Sequence, residues 1–291
     1  MEYQIQNENL TLKVSSRGGE MRSLRDADGL EYLWQADPAV WHETAPILFP
    51  FIGRLSEGGY RYLGKDYPLP KHGFASSSEF LLVSHEKESL TLALHSDEKK
   101  RAAYPFDFSF FVSFRLEGAS LKTRYRVENH GTEPMPFGLG AHPGFRVPLL
   151  EGEAFEDYRL EFPTPSRPDR VGFTEKILLS GSDSPYPLKE DRFLPLSHRL
   201  FDEDAVILKN IPRSVRLVSE KSGKGVSLSY PQMPYLGIWH WPKTNAQYVC
   251  LEPWHSLPGR DGVREEFTAK SDLVWAFPKD AFETEYTITV F

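Results

Sequence analysis

The sequence predicts an all-β protein that folds as a large antiparallel β-sandwich. Apolar side chains alternate with polar ones in short runs along the whole chain, which is the period of a half-buried strand. The 291 residues include 23 prolines, and a proline inside a helix costs about 3 kcal/mol. No helical pattern of roughly 10–15 residues separates the runs, so we expect antiparallel strands in sheets that pack face to face.

The alternating runs extend from one end of the chain to the other. Each run has large apolar residues at every second position, and turns rich in Gly, Pro, Asp and Ser separate the runs. In chain order they are Leu10, Leu12 and Val14; Leu90, Leu92 and Leu94; Tyr158, Leu160 and Phe162; Val226, Leu228 and Tyr230; Leu273, Trp275 and Phe277; and Tyr286, Ile288 and Val290.

The clearest element is a β-hairpin in the middle of the chain. Large apolar residues occupy every second position from Phe106 to Leu116, and a second alternation runs from Leu121 to Val127 with Thr123 on the same face. The segment Glu117-Gly-Ala-Ser120 between them is a plausible turn. A second hairpin is predicted around Gly64-Lys65, because Tyr60 and Tyr62 alternate before it and Tyr67 and Leu69 after it.

One domain covering residues 1–291 is expected, since no linker, repeat or low-complexity tract divides the chain. The most irregular stretch, Pro163–Arg199, is rich in Pro, Ser and Asp and is predicted to be a long loop region. Long ordered loops on a rigid sheet are common places for functional sites.

Composition excludes several classes of protein. The net charge of −7 leaves no basic surface for nucleic acid or for an anionic membrane. No apolar run approaches the roughly 18 residues of a membrane span, and the N-terminus lacks the pattern of a secretory signal. With one cysteine the chain forms no internal disulfide. We therefore expect a cytoplasmic protein.

Familiar catalytic motifs are missing or sit in the wrong context. The Gly59–Lys65 segment matches part of a phosphate-binding loop, but Asp66 stands where Ser or Thr should hold Mg²⁺. Cys250 lies in an apolar strand-like run, which favours a buried structural thiol over a nucleophile. The nine histidines show no close pairing of the His-Glu-x-x-His type. A catalytic metal held by scattered ligands stays a minor alternative, and no metal site is predicted.

Four short segments place reactive side chains in apolar or glycine-rich surroundings. Each reactive residue has a structural reading beside the functional one: Arg54 as an ion-pair partner, the two histidines as core residues with satisfied hydrogen bonds, and Glu252 as an acid at a strand end. The segments are Gly53-Arg54 after an apolar run, Lys71-His72-Gly73-Phe74, Gly140-Ala-His142-Pro-Gly-Phe145, and Leu251-Glu252-Pro-Trp254.

In this order and spacing, the four segments resemble the aldose 1-epimerase (galactose mutarotase-like) family, and more closely its LacX-type branch. The resemblance covers nearly the whole chain and implies the galactose mutarotase-like supersandwich, in agreement with the strand pattern. It also implies an enzyme that interconverts the α and β anomers of a free hexose. Such an enzyme needs no cofactor, because only protons move.

The resemblance also assigns roles to individual residues. Glu252 looks like the base that removes the proton of the C1 hydroxyl, and His142 looks like the acid that protonates the ring oxygen. Arg54 and His72 look like partners of the ring oxygen and hydroxyls. For the acid that binds sugar hydroxyls, Asp204 is favoured over Asp202 and Glu203, and Trp239 is a candidate platform for the sugar ring. Core packing and sugar contact are equally open for Trp239 and Trp241, and the same ambiguity holds for Trp34 and Trp41.

Two other functions remain open. One is a carbohydrate-binding protein without catalysis on the same fold. The other is a hexose-phosphate 1-epimerase, which would need basic groups around its pocket, and Arg54, Lys71 and Arg146 are the candidates. His142-Pro-Gly-Phe145 and Glu252-Pro-Trp254 differ from the motifs of the better-known galactose mutarotases. Galactose is therefore a doubtful substrate, and a neutral sugar is the expected small-molecule partner.

Overall fold

The computed structural model describes residues 1–291, and its regular secondary structure is mostly β-strand. The strands are β1 Glu2–Gln6, β2 Leu10–Ser15, β3 Glu20–Asp26, β4 Ile47–Leu48, β5 Gly59–Tyr62, β6 Lys65–Pro68, β7 Leu81–His85, β8 Ser89–His95, β9 Phe108–Glu117, β10 Ser120–Asn129, β11 Met135–Phe137, β12 Gly140–Ala141, β13 Gly144–Arg146, β14 Tyr158–Glu161, β15 Asp169–Arg170, β16 Ser184–Pro185, β17 Phe193–Pro195, β18 Val206–Lys209, β19 Ser214–Ser219, β20 Gly225–Ser229, β21 Tyr235–Trp239, β22 Tyr248–Trp254, β23 Val274–Ala276 and β24 Ala281–Val290.

Helical structure is limited to short segments. One α-helix, α1, covers Glu98–Ala103, and its N-cap Asp97 accepts a hydrogen bond from the Lys100 amide at 2.8 Å. The 3-10 segments are Ser56–Gly58, Phe155–Asp157, His198–Phe201 and Phe267–Ala269. No helix combines the length and the apolar character that a membrane span needs.

Two large sheets form the architecture. A nine-stranded sheet has the order β17-β14-β19-β20-β24-β10-β9-β8-β7. An eight-stranded sheet has the order β16-β15-β18-β21-β22-β12-β4, with β13 also paired to β22. Smaller sheets are β1-β2-β3, β11-β23 and β5-β6. The strand pairs are antiparallel, as the sequence predicts.

The apolar core lies between the large sheets. One cluster of 66 buried residues runs from Ile5 to Val290. Phe49, just after β4 of the eight-stranded sheet, stacks on Phe110 of β9 in the nine-stranded sheet with ring centroids 4.7 Å apart. Burial of a side chain of this size stabilises the fold by about 1.5–3 kcal/mol. The predicted antiparallel sandwich is therefore confirmed.

The predicted hairpins are also present. In the central hairpin Leu116 pairs with Leu121 across a turn in which Gly118 has φ +58°. In the second hairpin, β5–β6, the turn residues Leu63 and Gly64 both have positive φ, as a tight two-residue turn requires. The phosphate-loop alternative is thereby excluded, because a strand and not a helix follows Gly64.

Two predictions at the level of elements need correction. The run Leu273, Trp275 and Phe277 does not form one buried face. The strand covers only Val274–Ala276, and Phe277 is 58% exposed because it begins the turn to β24. The region Pro163–Arg199 is not all loop, since it contains β15, β16 and β17, each two or three residues long.

Candidate active site

One large cleft opens beside the eight-stranded sheet, with a volume of about 1080 Å³. This is slightly above the roughly 300–1,000 Å³ common for small-molecule sites. All six predicted site residues line it, namely Arg54, His72, His142, Asp204, Trp239 and Glu252. The four sequence segments thus converge on one place.

Glu252 lies in the middle of β22, whose seven residues are all buried. The strand is covered because β21 pairs with it on one side and β12 and β13 pair with it on the other. Gly237 lies opposite Glu252, and a Cβ there would come within 3.1 Å of the Glu252 Cβ. The glycine therefore leaves room for the carboxylate on a strand where most positions are filled.

His142 lies in the link between β12 and β13, directly against Glu252. Its Nε2 is 3.1 Å from Glu252 Oε2, and both side chains are buried. The link is held because the Leu251 amide donates to the Pro143 carbonyl at 3.1 Å and Gly144 pairs with Cys250. The sequence thus positions an imidazole and a carboxylate at hydrogen-bond distance on the cleft wall.

Burial disfavours the charged form of both groups. It raises the pKa of Glu252 well above the ordinary value, although the Lys71 cation partly opposes this, while Asp204 adds to it. Burial, followed by Lys71, lowers the pKa of His142 to about 3. A proton that passes across the 3.1 Å contact would interconvert a neutral carboxyl–imidazole pair, which burial favours, and a carboxylate–imidazolium pair.

His72 contributes a hydrogen-bond donor whose tautomer the backbone determines. The Gly53 amide donates to His72 Nδ1 at 3.0 Å, and the His72 amide donates to the Gly53 carbonyl at 2.9 Å. Since an amide can only donate, Nδ1 is unprotonated and the ring proton is on Nε2. Burial lowers the pKa of His72 well below its ordinary value, with smaller effects from Lys71, His142 and Arg54, so the ring is neutral. His72 has φ +64°, and its ring centroid is 5.8 Å from that of His142.

Two tryptophan rings lie close to the His142 side of the pair. Trp41 lies 5.2 Å from His142 between ring centroids, and Trp239 lies 5.6 Å from the same ring. Trp41 also stacks on Tyr248 at 5.2 Å. Trp34 does not line the cleft; its indole N–H donates to the Trp41 carbonyl at 2.9 Å and so supports the loop that carries Trp41. Of these two tryptophans, Trp41 therefore lines the cleft and Trp34 does not.

The cleft also carries charges of both signs. Four basic side chains line it, Arg54, Lys71, Arg170 and Lys243, and none of them forms an ion pair within the protein. Arg146, a basic candidate from the sequence, does not line the cleft. Arg146 is the last residue of β13 and pairs with Tyr248, whereas His142 comes before β13 begins. Besides Glu252, five acids accompany the cations: Glu43, Glu175, Asp202, Glu203 and Asp204.

Among the three neighbouring acids, Asp204 is distinguished by its effect on Glu252. Asp202, Glu203 and Asp204 all line the cleft, but of these three only Asp204 contributes to the raised pKa of Glu252. Its Oδ1 accepts from the Ala205 amide at 2.8 Å, and its φ is +74°. The choice of Asp204 is therefore supported by proximity to the catalytic candidates.

Comparison with known proteins matches this arrangement to one family. A sequence model of the aldose 1-epimerase family matches residues 1–267. The chromosomal LacX protein of Lactococcus lactis subsp. lactis is 36% identical over 298 aligned positions, which cover 100% of this chain and 99% of LacX. The chain belongs to the aldose 1-epimerase family.

Solved structures of related proteins have the same fold. A galactose mutarotase related enzyme from Lactobacillus acidophilus superposes with a TM-score of 0.95 at 34% identity, covering 100% of this chain and 97% of that one. A galactose mutarotase-like protein from Lactobacillus casei superposes with a TM-score of 0.93 at 30% identity, with full coverage of both chains.

Some residues of this aldose 1-epimerase family member line the cleft without having been predicted to do so. Glu43, Arg170 and Lys243 are examples, and they lie on loops or at a strand edge where no local pattern marks them. The long irregular region was the one available signal, since residues 170–175 form part of the cleft wall. Cys250 is fully buried as predicted, yet its thiol lies close to His142 and Glu252, and the three form a group of metal-ligating atoms.

Proposed function

We propose that this protein interconverts the α and β anomers of a free hexose by acid–base catalysis. The observation that carries the proposal is the 3.1 Å contact between His142 and Glu252, buried on the wall of a cleft large enough for a sugar. One shared proton between an acid and a base is what reversible ring opening requires.

The shared proton first passes from Glu252 to His142 across their 3.1 Å contact, so that Glu252 is the carboxylate and His142 the imidazolium when the sugar reacts. Glu252 takes the proton of the C1 hydroxyl, His142 gives its proton to the ring oxygen, and the bond from C1 to the ring oxygen breaks to leave an open-chain aldehyde. Rotation about C1–C2 presents the other face of the aldehyde. Reclosure returns both protons to their starting groups and produces the second anomer.

The other cleft residues bind the sugar and stabilise charge that develops during ring opening. The neutral His72 donates from Nε2, and Arg54 supplies a positive charge that no carboxylate of the protein neutralises. Asp204 accepts hydrogen bonds from sugar hydroxyls, and Trp239 offers an aromatic face for the apolar side of the ring.

The test is the equilibration of freshly dissolved α-D-glucose, α-D-galactose and further aldoses, followed by NMR or polarimetry with and without protein. Faster equilibration that is lost in Glu252→Gln and in His142→Asn supports the proposal. If no sugar equilibrates faster but calorimetry shows saturable binding, the protein binds carbohydrate without catalysis and the enzyme proposal is wrong.

A hexose phosphate is the second candidate substrate, and the unpaired cations in the cleft favour it. Arg54, Lys71, Arg170 and Lys243 could each contact a phosphate. Five acids in the same cleft oppose a dianion, so the neutral sugar is preferred. A KM at least tenfold lower for a hexose 6-phosphate than for the free hexose would reverse this order.

Two further expectations belong with the proposal. One domain covering residues 1–291 is supported by a core cluster that includes residues from Ile5 to Val290. A cytoplasmic location is supported by the single cysteine, which is free and buried and needs no oxidising compartment.

A further inference from the structure

Three different metal-ligating side chains meet at the wall of the cleft, which His142 and Glu252 line and Cys250 does not. The ligand atoms of His142, Cys250 and Glu252 all lie within 4.8 Å of one another, and all three residues are buried. Cys250 and Glu252 are two residues apart on β22, so their side chains lie on the same face of the sheet. The pairing of Gly144 with Cys250 places the His142 link next to that face.

The separations suit a single small cation. An ion at the centre of a triangle whose sides are 4.8 Å lies about 2.8 Å from each corner, and zinc bonds to sulfur, nitrogen and oxygen ligands at about 2.0–2.3 Å. Movements of less than about 1 Å would therefore complete the site. His142 Nδ1 makes no hydrogen bond, so a small rotation of the ring would break no hydrogen bond at that atom.

The donor set selects the kind of ion. A thiolate, an imidazole and a carboxylate together are typical of zinc, whereas Mg²⁺ and Ca²⁺ prefer oxygen donors only. Charge also balances, because a divalent cation neutralises one thiolate and one carboxylate in a buried place. The thiol gives up its proton to solvent as the metal–sulfur bond forms.

We propose that His142, Cys250 and Glu252 bind one Zn²⁺, or a divalent ion of similar softness, and that the bound ion blocks the acid–base pair. A metal bond takes the lone pair of the His142 ring nitrogen that binds the ion, and the bound cation lowers the proton affinity of the Glu252 carboxylate. The fourth position of the ion faces the cleft, where water or a sugar hydroxyl completes a tetrahedral site. Binding of the ion stands on the cluster alone, and only the inhibition rests on the proposed function.

The binding test uses chelator-treated full-length protein and Co²⁺ as a spectroscopic probe. We expect one ion per chain, a near-ultraviolet thiolate-to-cobalt absorption band, and the visible bands of a tetrahedral ion. Calorimetry with Zn²⁺ should show affinity weaker by about tenfold or more in Cys250→Ala and in Cys250→Ser, with thermal melting used to show that both variants are folded. A spectrum without the thiolate band, or equal zinc affinity in wild type and variants, overturns the proposal.

A matched control is available at a second pair of histidines. His198 Nδ1 lies 3.1 Å from His240 Nε2, outside the residues that line the cleft. His198→Gln should keep wild-type zinc affinity, and a loss in this variant would place the ion at the histidine pair instead and overturn the assignment.

The inhibition test compares anomerisation rates with and without micromolar Zn²⁺. We expect the wild type to lose activity, Cys250→Ala to resist the same zinc concentration, and added sugar to weaken zinc binding. A rate that rises or stays constant with the ion bound overturns the block. If no sugar is anomerised at all, the proposed function fails, while the cobalt spectrum and the calorimetry still decide the metal site.

Discussion

Replacement of Glu252 by Gln separates catalysis from stability, because this carboxyl is buried and in contact with His142. Gln keeps nearly the same shape but neither accepts a proton nor carries a charge. For activity, loss of a general base lowers the rate by about 10²–10⁴-fold. This corresponds to about 3–5 kcal/mol in the activation barrier.

For stability, the raised pKa of Glu252 predicts the opposite effect, namely a gain in unfolding free energy at neutral pH when the carboxyl is replaced. In the unfolded chain the carboxyl ionises near its model value of 4.5, whereas burial opposes ionisation in the folded protein. The group therefore stabilises the fold fully only below pH 4.5 and lowers its stability as the pH rises towards the folded pKa. Over the 2.5 pH units from that value to pH 7, the cost reaches at most about 3.4 kcal/mol.

We expect Glu252→Gln to be nearly inactive and more stable than the wild type at pH 7. The measurements are anomerisation by NMR and urea unfolding at pH 7 and pH 4, with Glu175→Gln as a control at an exposed acid of the same cleft. The stability difference should shrink towards zero at pH 4. A wild-type rate would refute the role of the base, and a variant less stable than the wild type at pH 7 would refute the argument from burial.

Three further predictions concern the fold around the site. A left-handed backbone costs a non-glycine residue about 1–2 kcal/mol. Gly73→Ala should destabilise the protein by more than this, because the new Cβ would also overlap the Phe49 carbonyl. It should raise KM as well, because the overlap lies beside His72. Gly64→Ala, with the same φ of +75° and nothing within 4 Å, isolates the strain alone in urea unfolding, and equal losses would contradict the overlap. Phe110→Ala should cost about 3–5 kcal/mol because it opens the core between the sheets, whereas Val83→Ala at an exposed position should change the unfolding free energy by less than about 0.5 kcal/mol. Burial lowers the pKa of His255 to about 4. The unfolding free energy of the wild type should therefore fall by up to about 1.4 kcal/mol per pH unit from this residue as the pH drops from 6.5 to 4. Parallel pH–stability curves for wild type and His255→Asn would show the reasoning to be wrong.

Much of the fold could be read from the sequence because the direction of a side chain on a strand depends only on its immediate neighbours. The alternation from Phe106 to Leu116 and from Leu121 to Val127 predicted the central hairpin, and the observed turn lies between β9 and β10, as expected. The same reasoning was wrong at Phe277, since three alternating residues do not show where a strand ends.

The candidate site could be read only in part. The segments that carry Arg54, His72, His142 and Glu252 were marked by reactive side chains in glycine-rich or apolar surroundings, and all four line the cleft. Arg170 and Lys243 carry no such mark, and Arg146 was wrongly considered as a basic group of the pocket.

The sequence by itself determined the strand-rich architecture and the chemical types of the groups in the cleft, since alternation and residue identity are local properties. Only the tertiary structure decided which groups touch. The 3.1 Å contact of His142 with Glu252 and the hydrogen bond from Gly53 to His72 join segments that are distant in the chain. The first forms because β22 pairs with β12 and β13, and the second forms beside the bridge between Phe49 and Gly73. Burial of these groups sets the pKa directions on which the proposed chemistry depends.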